Sequence, residues 1–266
     1  MFRLKTLGEM AGRRVLITGG TGHLGRVIAE TVAEQGAEVV LIDRPGSCFS
    51  EVKKKVTKTW GVDCHAIPCD LEDEEARDGL IQALLNDGKS LNCLVNNAAF
   101  LGTSDLEGWC TPLEEQSLCA WRRAIELNLT APFHLSQGLS PLLRRSRGAN
   151  ILNITSIYAD HGPDWSLYDG TSMGNPAAYG ASKAGLTQLT RWLAATLSPN
   201  VRVNAISPGG ILRKQPENFV ERYKAHTLMR RMATEDDFRG IFAYLISDLS
   251  KYVTGQVIKV DGGWKI

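Results

Sequence analysis

The most restrictive feature of this 266-residue sequence is a regular alternation of short apolar runs with helix-length segments. The apolar runs cover 13–18, 37–43, 62–68, 91–96, 150–155, 201–207 and 256–261. The helical patterns between them cover 23–35, 50–60, 73–87, 113–145, 177–197, 217–225 and 234–246. Near-continuous apolar runs are typical of parallel strands that are covered on both faces. The sequence therefore predicts an α/β fold: one doubly wound domain over 1–266, with a seven-stranded parallel sheet and helices on both faces.

Charge and cysteine usage exclude several classes of protein. Lys and Arg total 30 and Asp and Glu total 29, so there is no basic surplus for nucleic acid or an anionic membrane. No stretch approaches the roughly 18 apolar residues of a membrane span, and the first residues lack the apolar run of a secretion signal. The six cysteines form no CxxC pair and no zinc-like spacing with histidine, so we expect free thiols and no metal site. These features favour a cytoplasmic protein with a small-molecule partner.

A glycine-rich turn follows the first apolar run and opens the first long helical pattern. Glycines at such a point allow a tight turn and close approach of the backbone to a diphosphate, and the helix N-terminus attracts phosphate. A purely structural turn is the alternative. The context favours a Rossmann-type dinucleotide site, with contacts from Thr18, Gly19, Gly22, His23, Leu24 and Gly25.

Acidic residues follow the second and third runs. Asp43 stands where a carboxylate accepts both ribose hydroxyls of NAD and repels the 2′-phosphate of NADP, whereas the next residue, Arg44, suits that phosphate. We therefore expect NAD, with NADP as the alternative, and Asp43 as a turn residue is the simpler interpretation. Asp70, with Leu71 beside it, is expected to contact adenine or to cap the next helix.

Several further motifs occur in a fixed order along the chain. They are Asn96-Asn97-Ala98-Ala99, Asn128 in ELNLT, Ser156 in NITS, Tyr179-Gly-Ala-Ser-Lys183, Ser207-Pro208-Gly209 and the ending YVTGQVIKVDGGW. Together with the glycine turn they resemble the short-chain dehydrogenase/reductase family over essentially the whole chain. That resemblance implies an oxidoreductase that moves a hydride between NAD(P) and an alcohol or carbonyl. It also implies coenzyme contacts from Asn97, Ala98, Ala99, Tyr179, Lys183, Pro208, Gly209 and Ile211.

The catalytic roles implied by the resemblance agree with the chemistry of the residue types. Tyr179 and Lys183 are four residues apart and so share a helix face. A nearby ammonium is expected to lower the pKa of the Tyr179 phenol, which then exchanges the substrate proton. Ser156 is expected to hydrogen-bond the substrate oxygen, and Asn128 to support a proton relay near Lys183.

The sequence departs from the family pattern in four places. The turn reads TGxxGxxG, the form of larger family members, and His23 stands where compact members have glycine. Ala99 replaces a commoner glycine, and Arg213 replaces a usual threonine. The spacing from Ser156 to Tyr179 is longer than usual, and the extra residues fall in 157–176, which we expect to be a substrate loop.

The substrate loop mixes hydrogen-bonding side chains with flat aromatic faces, which suits a sugar, although a solvated loop surface is equally consistent. TSMGNPAAYGASK and SPGGILRKQPENFVERY resemble a branch of the family linked to flagellin and surface-glycan (legionaminic-type) sugars. We therefore predict a sugar, sugar phosphate or nucleotide sugar as substrate, contacted by Tyr158, Trp165 and Arg213.

Alternative functions are a reductase of a non-sugar carbonyl (3-oxoacyl type) and a non-catalytic dinucleotide sensor. An epimerase or dehydratase of the larger subtype is not expected, because the chain has no C-terminal substrate domain after VDGGW. The helical segments 113–145 and 177–197 carry more apolar residues than one sheet face needs. We therefore predict a homotetramer or homodimer.

Overall fold

The computed structural model describes residues 3–101 and 104–266. Its parallel sheet has seven strands, as the alternating pattern predicts, and their order is β3-β2-β1-β4-β5-β6-β7. The strands are β1 (Arg14–Thr18), β2 (Glu38–Asp43), β3 (Cys64–Pro68), β4 (Cys93–Asn96), β5 (Asn150–Ile154), β6 (Arg202–Pro208) and β7 (Val257–Val260). Chain order reverses between β1 and β4, where Val15 pairs with both Val39 and Cys93. Ligands of open α/β sheets bind outside the carboxyl ends of the strands at such a switch point.

Helices cover both faces of this sheet. They are α1 (Leu4–Gly8), α2 (His23–Glu34), α3 (Phe49–Trp60), α4 (Glu74–Asn86), α5 (Leu118–Ile125), α6 (Ala131–Arg145), α7 (Ala177–Leu197), α8 (Glu217–Ala225) and α9 (Arg239–Ile246). Val15 and Ile17 pack in one core with α2, α3 and α9, whereas Leu16 between them packs in a second core with α4, α6 and α7. The period-two alternation of strand side chains thus divides the apolar residues between two layers.

The prediction of a single helix over 113–145 is wrong in detail. The segment contains a 3₁₀ turn (Leu113–Glu115), α5, a π-helical turn (Glu126–Thr130) and α6. The side chain of Ser117 caps α5 by accepting from the N–H groups of Cys119 and Ala120. Pro132, near the start of α6, has no N–H to donate to the carbonyl of Asn128 four residues earlier, so the helix widens there.

The segment 157–176 is folded rather than extended, with 3₁₀ turns at Ile157–Ala159 and Trp165–Leu167. Its buried residues join α8 and the chain end in a small separate core of Ile157, Leu167, Tyr168, Phe219, Val220, Tyr223, Met232 and Trp264. Asp164 connects this segment to two distant parts of the chain through ion pairs to His226 (3.3 Å) and Lys265 (3.0 Å). Hydrogen bonds and the Lys265 charge lower the pKa of Asp164 to about 2.

Across the described residues, no helix has the length and apolar character that a membrane crossing requires.

Candidate active site

A cavity of about 850 Å³ opens at the carboxyl ends of the strands, over the switch point. Most residues predicted for the site line it: Gly19, Gly22, His23, Leu24, Asp43, Arg44, Asp70, Leu71, Asn97, Ala98, Ala99, Ser156, Tyr158, Tyr179, Lys183, Pro208, Gly209, Ile211 and Arg213. Thr18, Gly25, Asn128 and Trp165 are not part of that lining. The positions of these four residues are described below.

The glycine turn has the geometry that a coenzyme diphosphate needs. Gly19 adopts the left-handed conformation (φ +63°), and a Cβ on Gly25 would lie 2.1 Å from the carbonyl oxygen of Gly19. Gly25 therefore acts by close packing of α2 on the turn, not by lining the cavity. The helix begins after Gly22, which provides no side-chain cap, so the N-terminus of α2 faces the cavity with free N–H groups. These residues fit the diphosphate of NAD(P).

Thr18, at the end of β1, is hydrogen-bonded to the residues that follow β4. Its hydroxyl accepts hydrogen bonds from the N–H groups of Asn97 (2.9 Å) and Ala98 (3.0 Å). The amide of Asn97 donates in return to the carbonyls of Thr18 (2.9 Å) and Gly19 (3.1 Å). Thr18 is thus a buried positioning residue that fixes Asn97 and Ala98 in the cavity wall.

Asp43 ends β2 and lies beside the glycine turn. One carboxylate oxygen accepts from the N–H (3.0 Å) and hydroxyl (2.6 Å) of Thr21, and the other accepts from the N–H of Arg44 and the hydroxyl of Ser47. Asp43 therefore does stabilise the turn, as the simpler interpretation predicts. Asp43 also lines the cavity, at the position where a ribose is expected.

The next strand ends in Asp70 and Leu71, which border the same part of the cavity. Asp70 accepts from the N–H of Glu72 (3.0 Å), whereas α4 is capped by Asp73. The capping alternative for Asp70 is therefore wrong. The carbonyl of Leu71 is held by the buried guanidinium of Arg77 at 2.5 Å.

Ser156, Tyr179 and Lys183 come together in the cavity wall. Ser156 follows β5 and lies near the Tyr179 phenol, whose pKa it acts to lower. Lys183 lies one turn further along α7, with its Nζ 6.0 Å from the centre of the Tyr179 ring. That Nζ donates to the carbonyl of Ile154 at 2.7 Å. One strand, β5, and one helix, α7, thus place a hydroxyl, a phenol and an amine around one point.

The expected lowering of the Tyr179 pKa by Lys183 is wrong for this arrangement. Burial raises the pKa of the phenol, and the Ser156 hydroxyl and the Arg213 charge oppose that rise. Burial also lowers the pKa of Lys183 to about 7, since its Nζ is surrounded by protein. A weakened and distant ammonium does not offset the desolvation of the phenolate.

Asn128 lies in the π-helical turn and is fully buried. Its Oδ1 accepts from the N–H of Phe100 (2.8 Å), and its Nδ2 donates to the hydroxyl of Ser182 (3.1 Å). The side chain therefore connects the segment after β4 to α7, next to Lys183. Its contacts are those of a positioning residue.

Sequence reasoning missed several residues of the lining, among them Phe219, Tyr223 and Met232. The Tyr223 hydroxyl accepts from the N–H of Gly210 at 2.5 Å, and its ring stacks on Trp264 with centroids 4.4 Å apart. Aromatic residues four apart in NFVERY were the available signal, because that spacing puts both on one face of α8.

The three residues predicted to contact the substrate do not all line the same cavity. Tyr158 packs edge-on against Tyr179 (centroids 6.4 Å apart), and its hydroxyl bonds that of Tyr168 at 2.6 Å. Trp165 lies instead in a neighbouring cavity of about 690 Å³, which shares Tyr158, Tyr168 and Asn175 with the main one. Arg213 lines the main cavity, with its Nε 3.1 Å from Glu235.

A family model described as "Enoyl-(Acyl carrier protein) reductase" matches residues 21–265. The rhamnolipids biosynthesis 3-oxoacyl-[acyl-carrier-protein] reductase of Pseudomonas aeruginosa is 34% identical over 97% of this chain and 98% of its own length. The chain belongs to the short-chain dehydrogenase/reductase family. It is therefore an NAD(P)-dependent oxidoreductase of hydroxyl and carbonyl groups.

Other relatives in the family include a sugar dehydrogenase and a flagellin modification protein. A probable galactose dehydrogenase, GalD of Rhizobium meliloti, is 33% identical, with 96% of each chain covered. The post-translational flagellin modification protein A of Campylobacter coli is 26% identical over 94% of this chain and 97% of its own.

Two solved structures of the family hold a coenzyme. A putative NAD(P)-dependent gluconate 5-dehydrogenase from Beutenbergia cavernae, with bound NADP, has a TM-score of 0.84 at 30% identity, covering 97% of this chain and 98% of that one. An NAD⁺-bound xylitol dehydrogenase has a TM-score of 0.83 at 26% identity, covering 96% and 99%. The seven-stranded Rossmann-type fold and the NAD(P) class of coenzyme are thereby established for this chain.

Proposed function

We propose that this protein transfers a hydride between NAD(H) and a secondary alcohol or carbonyl of a sugar, sugar phosphate or nucleotide sugar. The observation that carries the proposal is the meeting of Ser156, Tyr179 and Lys183 in a cavity that the folded segment 157–176 also lines. The catalytic group is next to the coenzyme turn on one side and next to polar and aromatic side chains on the other.

The proposed chemistry assigns one task to each of these side chains. Tyr179 donates a proton to the carbonyl oxygen during reduction and accepts the hydroxyl proton during oxidation. Because burial raises its pKa, the phenol is protonated near neutral pH and ready to donate. The Ser156 hydroxyl holds the same substrate oxygen, and Lys183 holds the nicotinamide ribose. The nicotinamide supplies or accepts the hydride.

Three further roles complete this proposal. Asn128 keeps α7 in place beside the segment after β4, by its contacts to Phe100 and Ser182. Tyr158 forms the wall between the reaction centre and the second cavity. Trp165 provides an exposed flat face in that second cavity, where a further part of the substrate can stack.

The preference for a sugar rests on the chemistry of the lining. Tyr158, Tyr168 and Asn175 present hydroxyl and amide groups, and Trp165 presents an aromatic face. An acyl-chain pocket is more often lined by aliphatic side chains. The names of the galactose, gluconate and flagellin-modifying relatives point the same way, including towards a role in glycan biosynthesis.

A second candidate function is reduction of a 3-oxoacyl group. The 34% identity to the rhamnolipid-pathway reductase favours it. A third, a sensor that binds the dinucleotide without turnover, is disfavoured because Ser156, Tyr179 and Lys183 are all present and assembled.

A substrate panel separates these three functions. Sugars, sugar phosphates, nucleotide sugars and a 3-oxoacyl thioester are each incubated with NAD(H) and with NADP(H), and the absorbance of the reduced coenzyme is followed. We expect turnover of a carbohydrate. Turnover of the thioester alone contradicts the sugar assignment, and tight coenzyme binding with no turnover of any compound favours the sensor.

We further propose that NAD(H) binds more tightly than NADP(H), because the 2′-phosphate faces the carboxylate of Asp43. Calorimetric titration with both coenzymes tests this preference. Asp43→Ala should narrow the difference. Tighter binding of NADP(H) to the wild type contradicts the proposal and assigns the 2′-phosphate to Arg44.

A homotetramer or homodimer in the cytoplasm completes the proposal. Exposed apolar side chains lie on α5, α6 and α7: Leu118, Trp121, Phe133 and Trp192. Contact between copies would cover them. Cys48, Cys64, Cys69, Cys93 and Cys119 are free thiols, as suits a reducing compartment. A monomeric mass by light scattering at micromolar concentration contradicts the assembly.

A further inference from the structure

One carboxylate, that of Glu235, lies between two side chains that line the main cavity. The Oε1 atom of Glu235 lies 3.1 Å from the Nε of Arg213 and 3.8 Å from the Nδ1 of His23. His23 is the first residue of α2, directly after the glycine turn, and Arg213 comes from the segment between β6 and α8. Both His23 and Arg213 line the main cavity. The three side chains therefore bridge the coenzyme side and the substrate side.

Glu235 is held by a rigid element. It opens a 3₁₀ turn that has a capping box between Thr234 and Asp237. The following helix is attached to α2 by the ion pair of Arg239 with Glu34. The position of the Glu235 carboxylate is therefore fixed relative to the glycine turn.

The backbone of Arg213 is paired to the same element. Leu212 donates to the carbonyl of Ala233 (2.8 Å), and the Arg213 N–H donates to Gln215 (2.6 Å). Its guanidinium is thus directed to Glu235, at the glycine-turn side of the cavity. Because the Glu235 carboxylate also lies beside His23, the guanidinium is next to the N-terminus of α2.

We propose that Arg213 is a coenzyme-binding residue for the diphosphate, and that Glu235 is the positioning residue that holds it over the glycine turn. A carboxylate near a diphosphate is unfavourable alone, but the Arg213 charge neutralises it. The remaining N–H groups of the guanidinium are available to phosphate oxygens, which they bind in a planar fork. This inference concerns the coenzyme and does not depend on which substrate is turned over.

Direct binding of coenzyme and coenzyme fragments tests the proposal. Dissociation constants for NADH, ADP-ribose and AMP are measured by calorimetry on wild type and Arg213→Ala. We expect weaker binding of NADH and ADP-ribose by about tenfold, the effect of one lost charge-assisted hydrogen bond at a partly exposed site. AMP lacks the second phosphate and should lose less.

A double variant isolates the role of Glu235. In Arg213→Ala the Glu235 carboxylate is left unneutralised near the diphosphate, so adding Glu235→Gln should restore part of the lost NADH affinity. Arg213→Lys should also recover part. Arg231→Ala is the matched control, since Arg231 pairs with Asp237 on the same segment and is not in the cavity lining.

Three results overturn the proposal. One is an unchanged ADP-ribose affinity in Arg213→Ala. Another is an equal loss for AMP and ADP-ribose. The last is a loss confined to the KM of a phosphorylated substrate, which assigns Arg213 to the substrate instead.

Discussion

On the coenzyme side of the cavity, residues are held by backbone packing within the sheet, whereas on the substrate side an aromatic cluster and exposed ion pairs hold them. Backbone atoms lie so close to Gly19 and Gly25 that a larger side chain would not fit at either position. The hydroxyl of Thr18 accepts a hydrogen bond from the backbone N–H of Asn97. Tyr168 and Asp164 instead contact side chains of α8 and the chain end. The comparison sets the tightly packed proposed coenzyme site against a proposed substrate cap, formed by 157–176 with α8 and the chain end, which has its own small core.

The largest expected effect is at Tyr179, where the two sides meet. Tyr179→Phe removes the proton donor and should lower kcat by about a thousandfold, within the range for general acid–base catalysis. The NADH dissociation constant, measured by calorimetry, should stay within a few-fold of wild type. A variant that keeps most of its kcat assigns the proton transfer to another group.

The next largest effect tests the tight packing of the coenzyme side. Gly25→Ala places a Cβ against the Gly19 carbonyl and should weaken NADH binding by about a hundredfold, since backbone atoms have to move. Gly79→Ala is the matched control, because that helical glycine has open space around its Cβ position. Equal NADH affinity in both variants contradicts the close-packing account.

A pH-dependent effect on stability tests the burial of Lys183 between the two sides. Its folded-state pKa of about 7 lies below the ordinary 10.5, so the unfolded chain binds more protons between those values, and its contribution to stability rises with pH across that interval. Lys183→Met should therefore raise the Tm relative to wild type most below pH 7. The gain should vanish near pH 10.5, and a constant Tm difference across this range contradicts the shifted pKa.

The smallest effect tests the separate substrate cap. Trp165→Ala should raise the KM for the sugar found in the panel by roughly fivefold, the size of a lost stacking contact, while kcat and NADH affinity stay unchanged. Tyr252→Ala, which removes a fully exposed aromatic ring outside both cavities, is the control. A fall in NADH affinity for Trp165→Ala shows that the two sides are not separable.

The same comparison explains what the sequence could predict. The seven parallel strands and the glycine turn follow from local patterns, because buried parallel strands and close backbone packing require particular residues at fixed spacing. The four residues Asn128, Ser156, Tyr179 and Lys183 were found as motifs, but their contacts were not. The raised pKa of Tyr179 depends on burial, which a motif does not encode.

The substrate side was harder to predict because its contacts join distant parts of the chain. Tyr223 stacks on Trp264, and His226 pairs with Asp164, across separations that no local pattern reveals. Trp165 was assigned to the substrate from its loop alone, and the structure puts it in the neighbouring cavity. The π-helical turn at Asn128 had a local signal in Pro132, since that residue lacks an N–H.

The most direct test of the central claim is a crystal structure of the protein with NAD(H) and the sugar that the panel identifies. We expect the nicotinamide between Ser156 and the glycine-turn side of the cavity, and the reacting sugar oxygen within hydrogen-bond distance of the Tyr179 and Ser156 hydroxyls. The rest of the sugar should contact residues of 157–176. A sugar bound away from Tyr179, or a segment 157–176 remote from the nicotinamide, contradicts the account.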